Sequence, residues 1–327
     1  MKGHPHEVLC IGNPFIDHII EVDDAFIEEI AGQKGGMVPV TYNALLEIIH
    51  KSGKEPLLLL GGSGANTLRG LTHLGHRCGL VGRIGQDAPG HIFLKKLKEI
   101  GAISYLVQST TPTAQAVCLI TPDKERTMRS FLGASSEMSE DDIDPSLFQN
   151  TKLVHLEGYS LMNGNLTQHT MEIAKQVGAK VSFDLGSFEV VSVHRETIIG
   201  LLGQFVDILF ANAEELYSLV KRTPEEGCQL LNELCDVVVI LLGKEGCLVG
   251  HRGEVTYVPA QTVDAVDTTG AGDLFASGFL HGYLKGVSVV DCARYGVLTG
   301  AAVVQVRGVD ISAAQWKELK KKMCQMQ

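Results

Sequence analysis

The sequence predicts an α/β protein with a mainly parallel sheet covered on both faces by helices, and a small β lid beside it. Three observations predict this. Short apolar runs recur at residues 8–11, 153–156, 181–184, 206–210 and 237–242, each long enough for a buried strand. Helical patterns such as 164–177 and 213–220 fill the gaps, as βαβ units require. Two stretches then break the rhythm, at 16–22 with 35–41 and at 113–131.

Taken in order, each run delivers polar residues where such sheets hold ligands, beyond the carboxyl ends of the strands. Asn13 and Asp17 follow the first run, and Gly158 and Tyr159 follow the second. Asp184 ends the third, Asn212 follows the fourth and Gly243 the fifth. Residues 116–121 and 127–131 flank a Pro122-Asp123-Lys124-Glu125 turn, which reads as a β-hairpin with a four-residue loop. This hairpin is expected to pair with 16–22 and 35–41 as a lid, the alternative being that they only extend the main sheet. The expected division is a large body at 1–14, 46–107 and 132–327, and a discontinuous lid at 15–45 and 108–131. No internal repeat, low-complexity tract or interdomain linker is visible.

Bulk properties narrow the function classes. The chain has 327 residues, 45% hydrophobic and 20% charged, enough apolar content for a sizeable core. A formal charge of −10 and the lack of a long basic cluster argue against nucleic acid as a partner. Lys317, Lys320, Lys321 and Lys322 read as the solvated face of a terminal helix. The 8 cysteines form no C-x-x-C pair, and residues 1–10 hold no apolar leader. The apolar runs are too short to cross a bilayer, so a cytoplasmic protein without a membrane partner is expected. The 12 histidines show no metal-ligand spacing.

The strongest signal is Asp267-Thr268-Thr269-Gly270-Ala271-Gly272-Asp273, followed at once by a helical pattern with Phe275, Phe279 and Tyr283 on one face. A small-residue turn thus opens into a helix, whose first amides lack internal partners and carry the positive end of the dipole. With no large side chains in the way, a phosphate can approach Gly270, Ala271 and Gly272. Asp273 would then sit beside it, able to take a proton from an incoming hydroxyl. An Asp at a helix start is also an ordinary cap, so the pair of acids framing the turn carries the weight. No G-x-x-x-x-G-K-[ST] pattern is present.

This motif resembles the C-terminal signature of the ribokinase-type (PfkB) carbohydrate kinases. Their N-terminal signature is matched by Gly61-Gly62-Ser63-Gly64-Ala65-Asn66-Thr67, in the family's order. The resemblance runs from Gly12 to about Gly308 and implies a doubly wound α/β fold with a small β lid. It implies Asp273 as catalytic base, the amides of Gly270, Ala271 and Gly272 as an anion hole, and Arg126 near the transferring phosphate. It implies Asn13, Asp17, Gly61, Gly62 and Asn66 on the acceptor side. Asn212 and Glu215 match the family's N-x-x-E motif near Mg-ATP, and read alone they are a helix cap with a first-turn acid. Gly243 and Gly246 match its turn beside ATP, and read alone they are a hairpin turn; Thr268 joins the ATP-facing set.

ATP and Mg2+ are the implied cofactors, with no direct protein ligand expected for Mg2+. A monovalent cation such as K+ near Asp267 and Thr269 stays open. Gly12-Asn13-Pro14-Phe15-Ile16-Asp17, residues 125–134 and Leu156-Glu157-Gly158-Tyr159 are similar to adenosine kinases, bacterial ones in particular, which implies the 5′-hydroxyl of adenosine as acceptor. Met37, Phe131 and Tyr159 are candidates for the base slot. Gly64-Ala65 before Asn66 is shared with general sugar kinases, so a ribokinase- or fructokinase-type acceptor stays open, as does a non-catalytic binding protein on the same fold. An NAD-binding oxidoreductase is disfavoured because no G-x-G-x-x-G follows the first strand. The partner expected is a small nucleoside or sugar, with monomer and homodimer both open.

Overall fold

Val8–Ile11 forms strand β1, and its four buried side chains alternate between two cores. Leu9 and Ile11 point to one face of the sheet, Val8 and Cys10 to the other. The computed structural model to which β1 belongs describes residues 6–30, 32–123 and 125–326.

Among the described residues, eight more strands join β1 in a nine-stranded sheet. In chain order they are β5 (Cys78–Gly85), β6 (Ile103–Ser109), β9 (Leu153–Glu157), β10 (Lys180–Asp184), β11 (Ile208–Asn212), β12 (Val237–Leu241), β13 (Gly246–His251) and β14 (Glu254–Pro259). Their spatial order is β14-β13-β12-β11-β10-β9-β1-β5-β6. All neighbours run parallel except β12 with β13 and β13 with β14. The order reverses at β1: the chain proceeds to β5 on one side and later to β9 on the other. Such a switch point opens a crevice at the strands' carboxyl ends.

One face is covered by α5 (Leu166–Gln176), α6 (Phe188–Gln204), α7 (Ala213–Val220) and α8 (Pro224–Leu231). The other carries α3 (Ser63–Leu74), α4 (Ala88–Glu99), α9 (Ala271–Lys285) and α10 (Val289–Val303). The helical spacing of Phe275 and Phe279 is realised there: both are buried against Phe210, with Tyr283 beside them. Trp316, Leu319 and Met323 of α11 (Ala313–Gln325) close a smaller cluster, and Lys317, Lys320, Lys321 and Lys322 face solvent.

Among the described residues, the second sheet has five strands in the order β3-β8-β7-β2-β4. They are β2 (Phe15–Glu21), β3 (Met37–Pro39), β4 (Leu57–Gly61), β7 (Ala114–Ile120) and β8 (Arg126–Phe131). The hairpin is present as β7 antiparallel to β8, although Lys124 of its turn lies outside the described residues. The two off-rhythm stretches pair with it, β2 alongside β7 and β3 alongside β8, so they do not extend the main sheet. A short helix α1 (Asp24–Glu28) and α2 (Tyr42–Ser52) follow β2 and β3; Ile27, Leu45 and Ile48 bury against Ile20, Val117 and Leu119 on one face of this sheet.

The expected boundaries need correction. Residues 46–61 belong with the lid: α2 packs on β7 and β8, and β4 pairs antiparallel with β2 from Phe15↔Gly61 to Ile19↔Leu57. Residue 108 falls inside β6 of the large sheet, and lid strand β7 begins only at Ala114. The run Leu57–Leu60 carries no alternation to say which sheet it joins, and a two-residue gap to α3 hid the transition.

Candidate active site

Helix α9 begins at Gly270, its N-cap, in the left-handed region at φ 70°. A Cβ there would run into Cγ1 of Val309, so both the backbone angle and the space call for glycine. Asp273 is the third residue of the helix and does not cap it, since no side chain accepts a first-turn amide. Its carboxylate turns instead to α3, where Oδ1 accepts from Ser63 Oγ at 2.7 Å and Oδ2 from Asn66 Nδ2 at 2.9 Å. The two glycine-rich motifs therefore meet on one carboxylate.

Of the amides expected in the anion hole, Ala271 N–H folds back on Thr268 O at 3.2 Å. The amides of Gly272 and Asp273 have no carbonyl a turn earlier in the helix to receive them. The rest of the motif is a brace. Asp267 Oδ1 accepts from Thr269 N at 2.9 Å and Thr269 Oγ1 at 2.6 Å, and Oδ2 accepts from Gly308 N at 2.8 Å. Arg126 of β8 reaches across from the lid and donates from Nη1 to Thr269 Oγ1 at 2.5 Å. Arg126, Asp267 and Thr268 line a cleft of about 260 Å3 between lid and body, with Ile19, Glu21 and Arg307.

On the lid, Asp17 lies in β2 opposite Ala116 of β7 and Leu59 of β4. Strand register puts Asp17, Ile19, Ala116, Cys118, Met128 and Met37 on one face, opposite the face packed by α2. Gly61 is needed beside it, because a Cβ would stand 2.5 Å from Asp17 Oδ2, and Gly62 at φ 95° would strike Asn13 O. Of the base-slot candidates, Met37 shares the Asp17 face. Phe131 does not: it packs with the α2 side of the lid, its ring 5.1 Å from that of Tyr42. Tyr159 belongs to the body and donates to Gly186 O at 3.1 Å.

Glu157 was missed as a site residue. It ends β9 beside the switch point, is 1% exposed, and accepts from Asn13 N at 2.9 Å through Oε1 and from Gly64 N at 2.5 Å through Oε2. It joins the first strand's exit to the first glycine motif. Its position straight after a buried apolar run was the available signal. Asp184, at the end of β10, accepts from Gly186 N at 2.9 Å.

Asn212 and Glu215 form a reciprocal capping box on α7. Asn212 Oδ1 accepts from Glu215 N at 2.9 Å, and Glu215 Oε2 accepts from Asn212 N at 2.8 Å. Gly243 and Gly246 bound the turn between β12 and β13, with Leu242 N donating to Gly246 O at 2.8 Å. A side chain at Gly246 would strike Val258 O, so strand packing alone demands that glycine. Leu241, just before the turn, lies 3.6 Å from where a Cβ on Gly272 would sit, which sets the turn beside the α9 entrance.

The electrostatics have one sign. Burial pushes Asp17 up to about 6, opposed by Arg126 and Arg69. Burial pushes Glu157 to about 7 against the two amides that bond it, and Glu215 to about 7 against the Asn212 amide. Asp184 is raised well above the usual range by burial, then by the charges of Glu215 and Asp273. Burial also raises Asp273, against the bonds from Asn66 and Ser63 and the charge of Arg126. These buried carboxylates have hydrogen-bond donors, but burial and their mutual repulsion disfavour their charged forms. Positive charge arriving there would favour the ionised forms of Asp184 and Glu215, so the donor set fits a cation; among the described residues no three His, Cys, Asp or Glu side chains converge to ligate a metal directly. Among the described residues, also, no helix is long and apolar enough to cross a membrane.

Comparison with known proteins identifies the family. Residues 39–316 match the family model for pfkB family carbohydrate kinases. A nucleoside kinase of Methanothermobacter thermautotrophicus is 26% identical over 92% of this chain and 90% of its own. An uncharacterized sugar kinase of Archaeoglobus fulgidus is 29% identical over 73% of this chain and 96% of its own. Among solved structures, adenosine kinase from Sinorhizobium meliloti superposes with a TM-score of 0.89 at 29% identity, covering 99% of this chain and 100% of its own. A probable sugar kinase from Rhizobium etli gives 0.89 at 30% identity over 97% and 98%. The fold is thus ribokinase-like, and kinase chemistry in this family implies ATP with a divalent metal. The chain belongs to the pfkB family of carbohydrate kinases and is a kinase of the sugar and nucleoside class.

Proposed function

We infer that the chain transfers the γ-phosphate of ATP to the 5′-hydroxyl of adenosine, with Asp273 as the base. The observation that carries the acceptor side is the lid's inner face. Asp17 stands there among Ile19, Ala116, Cys118 and Met128, so a carboxylate suited to a ribose diol is flanked by apolar surface suited to a base. The likeness to the Sinorhizobium meliloti adenosine kinase and to the Methanothermobacter nucleoside kinase supports the same choice.

The chemistry follows from what the residues hold. Asn66 and Ser63 bond both oxygens of the Asp273 carboxylate and favour its ionised, accepting form. As the 5′-oxygen attacks the γ-phosphorus, its proton passes to Asp273, the bond to the bridging oxygen breaks, and ADP leaves. Charge on the phosphoryl oxygens meets the Gly272 and Asp273 amides, the positive end of α9 and Arg126. A lid bearing Asp17 and Arg126 excludes water and limits ATP hydrolysis. Glu215 and Asp184 would hold Mg2+ through its waters; the ion would neutralise phosphate charge. Asp267 and Thr269 are committed to each other, to Gly308 N and to Arg126, whose guanidinium already brings positive charge there.

The test is an ADP-release panel with adenosine, guanosine, inosine, cytidine, ribose and fructose. Adenosine is expected to give the highest kcat/KM, with AMP as product. Turnover confined to ribose or fructose would replace the nucleoside acceptor with a sugar, and no turnover at all would point to a non-catalytic binder.

A further inference from the structure

Arg69 has no part in the reaction as described, yet its guanidinium is buried within one helical turn of Asn66. The residue is 8% exposed and sits on α3, where residues three apart share a face. Nη2 donates to Asp310 Oδ1 at 2.6 Å. Nη1 donates to Leu60 O at 3.3 Å and to Asn66 Oδ1 at 3.4 Å. The neighbouring α3 positions Ala65, Leu68 and Leu71 are plain core, and a buried guanidinium among them is costly unless its bonds hold it.

The chemistry of the amide gives this placement its meaning. A guanidinium only donates, an ionised carboxylate only accepts, and an amide has one end of each kind. Asn66 lies between them, Oδ1 towards Arg69 and Nδ2 towards Asp273 Oδ2 at 2.9 Å. Turned over, the amide would set donor against donor at Arg69 and acceptor against acceptor at Asp273. We propose that Arg69 is a positioning residue that holds the Asn66 amide in the one orientation that donates a hydrogen bond to Asp273. The proposal rests on Asp273 being the base.

The anchor of Arg69 lies in the segment that braces the same turn. Asp310 follows Gly308, whose N–H bonds Asp267, and Val309, which packs over Gly270. Around Asp273 stand Ser63 and Asn66 from α3 and Arg126 from β8, with the carboxylates Asp17, Glu157, Asp184 and Glu215 from β2, β9, β10 and α7. Asn66 is thus one of few groups that favour the ionised base, and its orientation matters.

The experiment uses the full chain with Arg69→Met, Arg69→Lys, Asn66→Ala and the Arg69→Met/Asn66→Ala double variant. The first readout is the 13C carboxyl titration of Asp273 by NMR, assigned with Asp273→Asn, which needs no acceptor. The second is the pH profile of kcat/KM with the best acceptor. Arg69→Met is expected to move both the titration and the acid limb to higher pH by about half a unit or more, with Arg69→Lys closer to wild type. In the Asn66→Ala background Arg69→Met is expected to add nothing. An unmoved titration in Arg69→Met, or an equal shift without Asn66, overturns the proposal. If Arg69→Met does not fold, Asp310→Asn weakens the anchor alone; a smaller shift in the same direction supports the proposal and none overturns it. A wild-type chain that turns over no acceptor would count against the proposed function, while the titration would still decide the part played by Arg69.

Discussion

Asn66 Nδ2 donates to Asp273 Oδ2 across 2.9 Å although the two residues are 207 positions apart. That bond joins the start of α3 to the start of α9, and it puts the proposed base under the control of both glycine-rich motifs.

Asp273→Asn keeps the shape of the side chain but cannot take a proton. Its kcat is expected to fall by about 10²–10⁴, with the KM for ATP little changed, in a coupled ADP assay. A loss of ATP affinity without a fall in kcat would assign Asp273 to binding.

Gly270→Ala has two faults, a Cβ in the left-handed region and a collision with Val309. It is expected to cost about 1–2 kcal/mol from the backbone alone, read as a lower midpoint in urea, and to depress kcat. Adding Val309→Ala removes the collision but not the backbone strain, so recovery should be partial. Full recovery would show that φ at this position is free to change.

The pH dependence of the apo protein follows from the raised carboxylates. Asp17, Glu157 and Glu215 have folded pKa values of about 6, 7 and 7, above their ordinary 3.8, 4.5 and 4.5. Between those limits the native state binds more protons than the unfolded one, so stability falls as pH rises from about 4 to 7. Asp207 works the other way. Burial opposes its charge, but bonds from Lys175 and Lys180 outweigh burial and hold it below its usual range, so its contribution is lost only in stronger acid. The apo melting temperature is therefore expected to be higher at pH 6 than at pH 8, and Mg-ATP should raise it more at pH 8. A melting temperature that climbs steadily from pH 6 to 8 would contradict the burial of these groups.

Arg126→Ala removes the lid's link to Thr269 and a positive charge that favours the ionised forms of Asp17 and Asp273. A fall in kcat of about 10²-fold or more is expected, with the acid limb moved to higher pH. Arg126→Lys should recover little of it, because an ammonium lacks the fork of donors.

Arg307→Ala provides the contrast. Arg307 pairs with Glu21 at 2.8 Å, also between body and lid, but both side chains are about 60% exposed. Such pairs contribute about 0–1 kcal/mol, so stability and kcat/KM should change less than fivefold. A larger loss would make this pair a determinant of lid closure.

Much of this arrangement was legible in the chain itself. The Asp267–Asp273 motif announces a helix entrance because small residues and helical spacing are local properties. The strand at 8–11 and the capping pair Asn212 and Glu215 are local in the same sense, the latter appearing in the fold as a reciprocal cap. Phe131, a candidate for the base slot, packs on the α2 side of the lid, since alternation says which residues share a face and not which face meets the ligand.

By itself, then, the sequence determined where β1, β9, β10, β11 and β12 and the starts of α7 and α9 fall, because periodicity and capping act over a few residues. Only the tertiary structure decided that β4 joins the lid, that Glu157 ties Asn13 to Gly64, and that Arg69 reaches Asp310 across 241 positions. Those contacts arise from how the sheets pack, and burial inside that packing raises the carboxylates of the site.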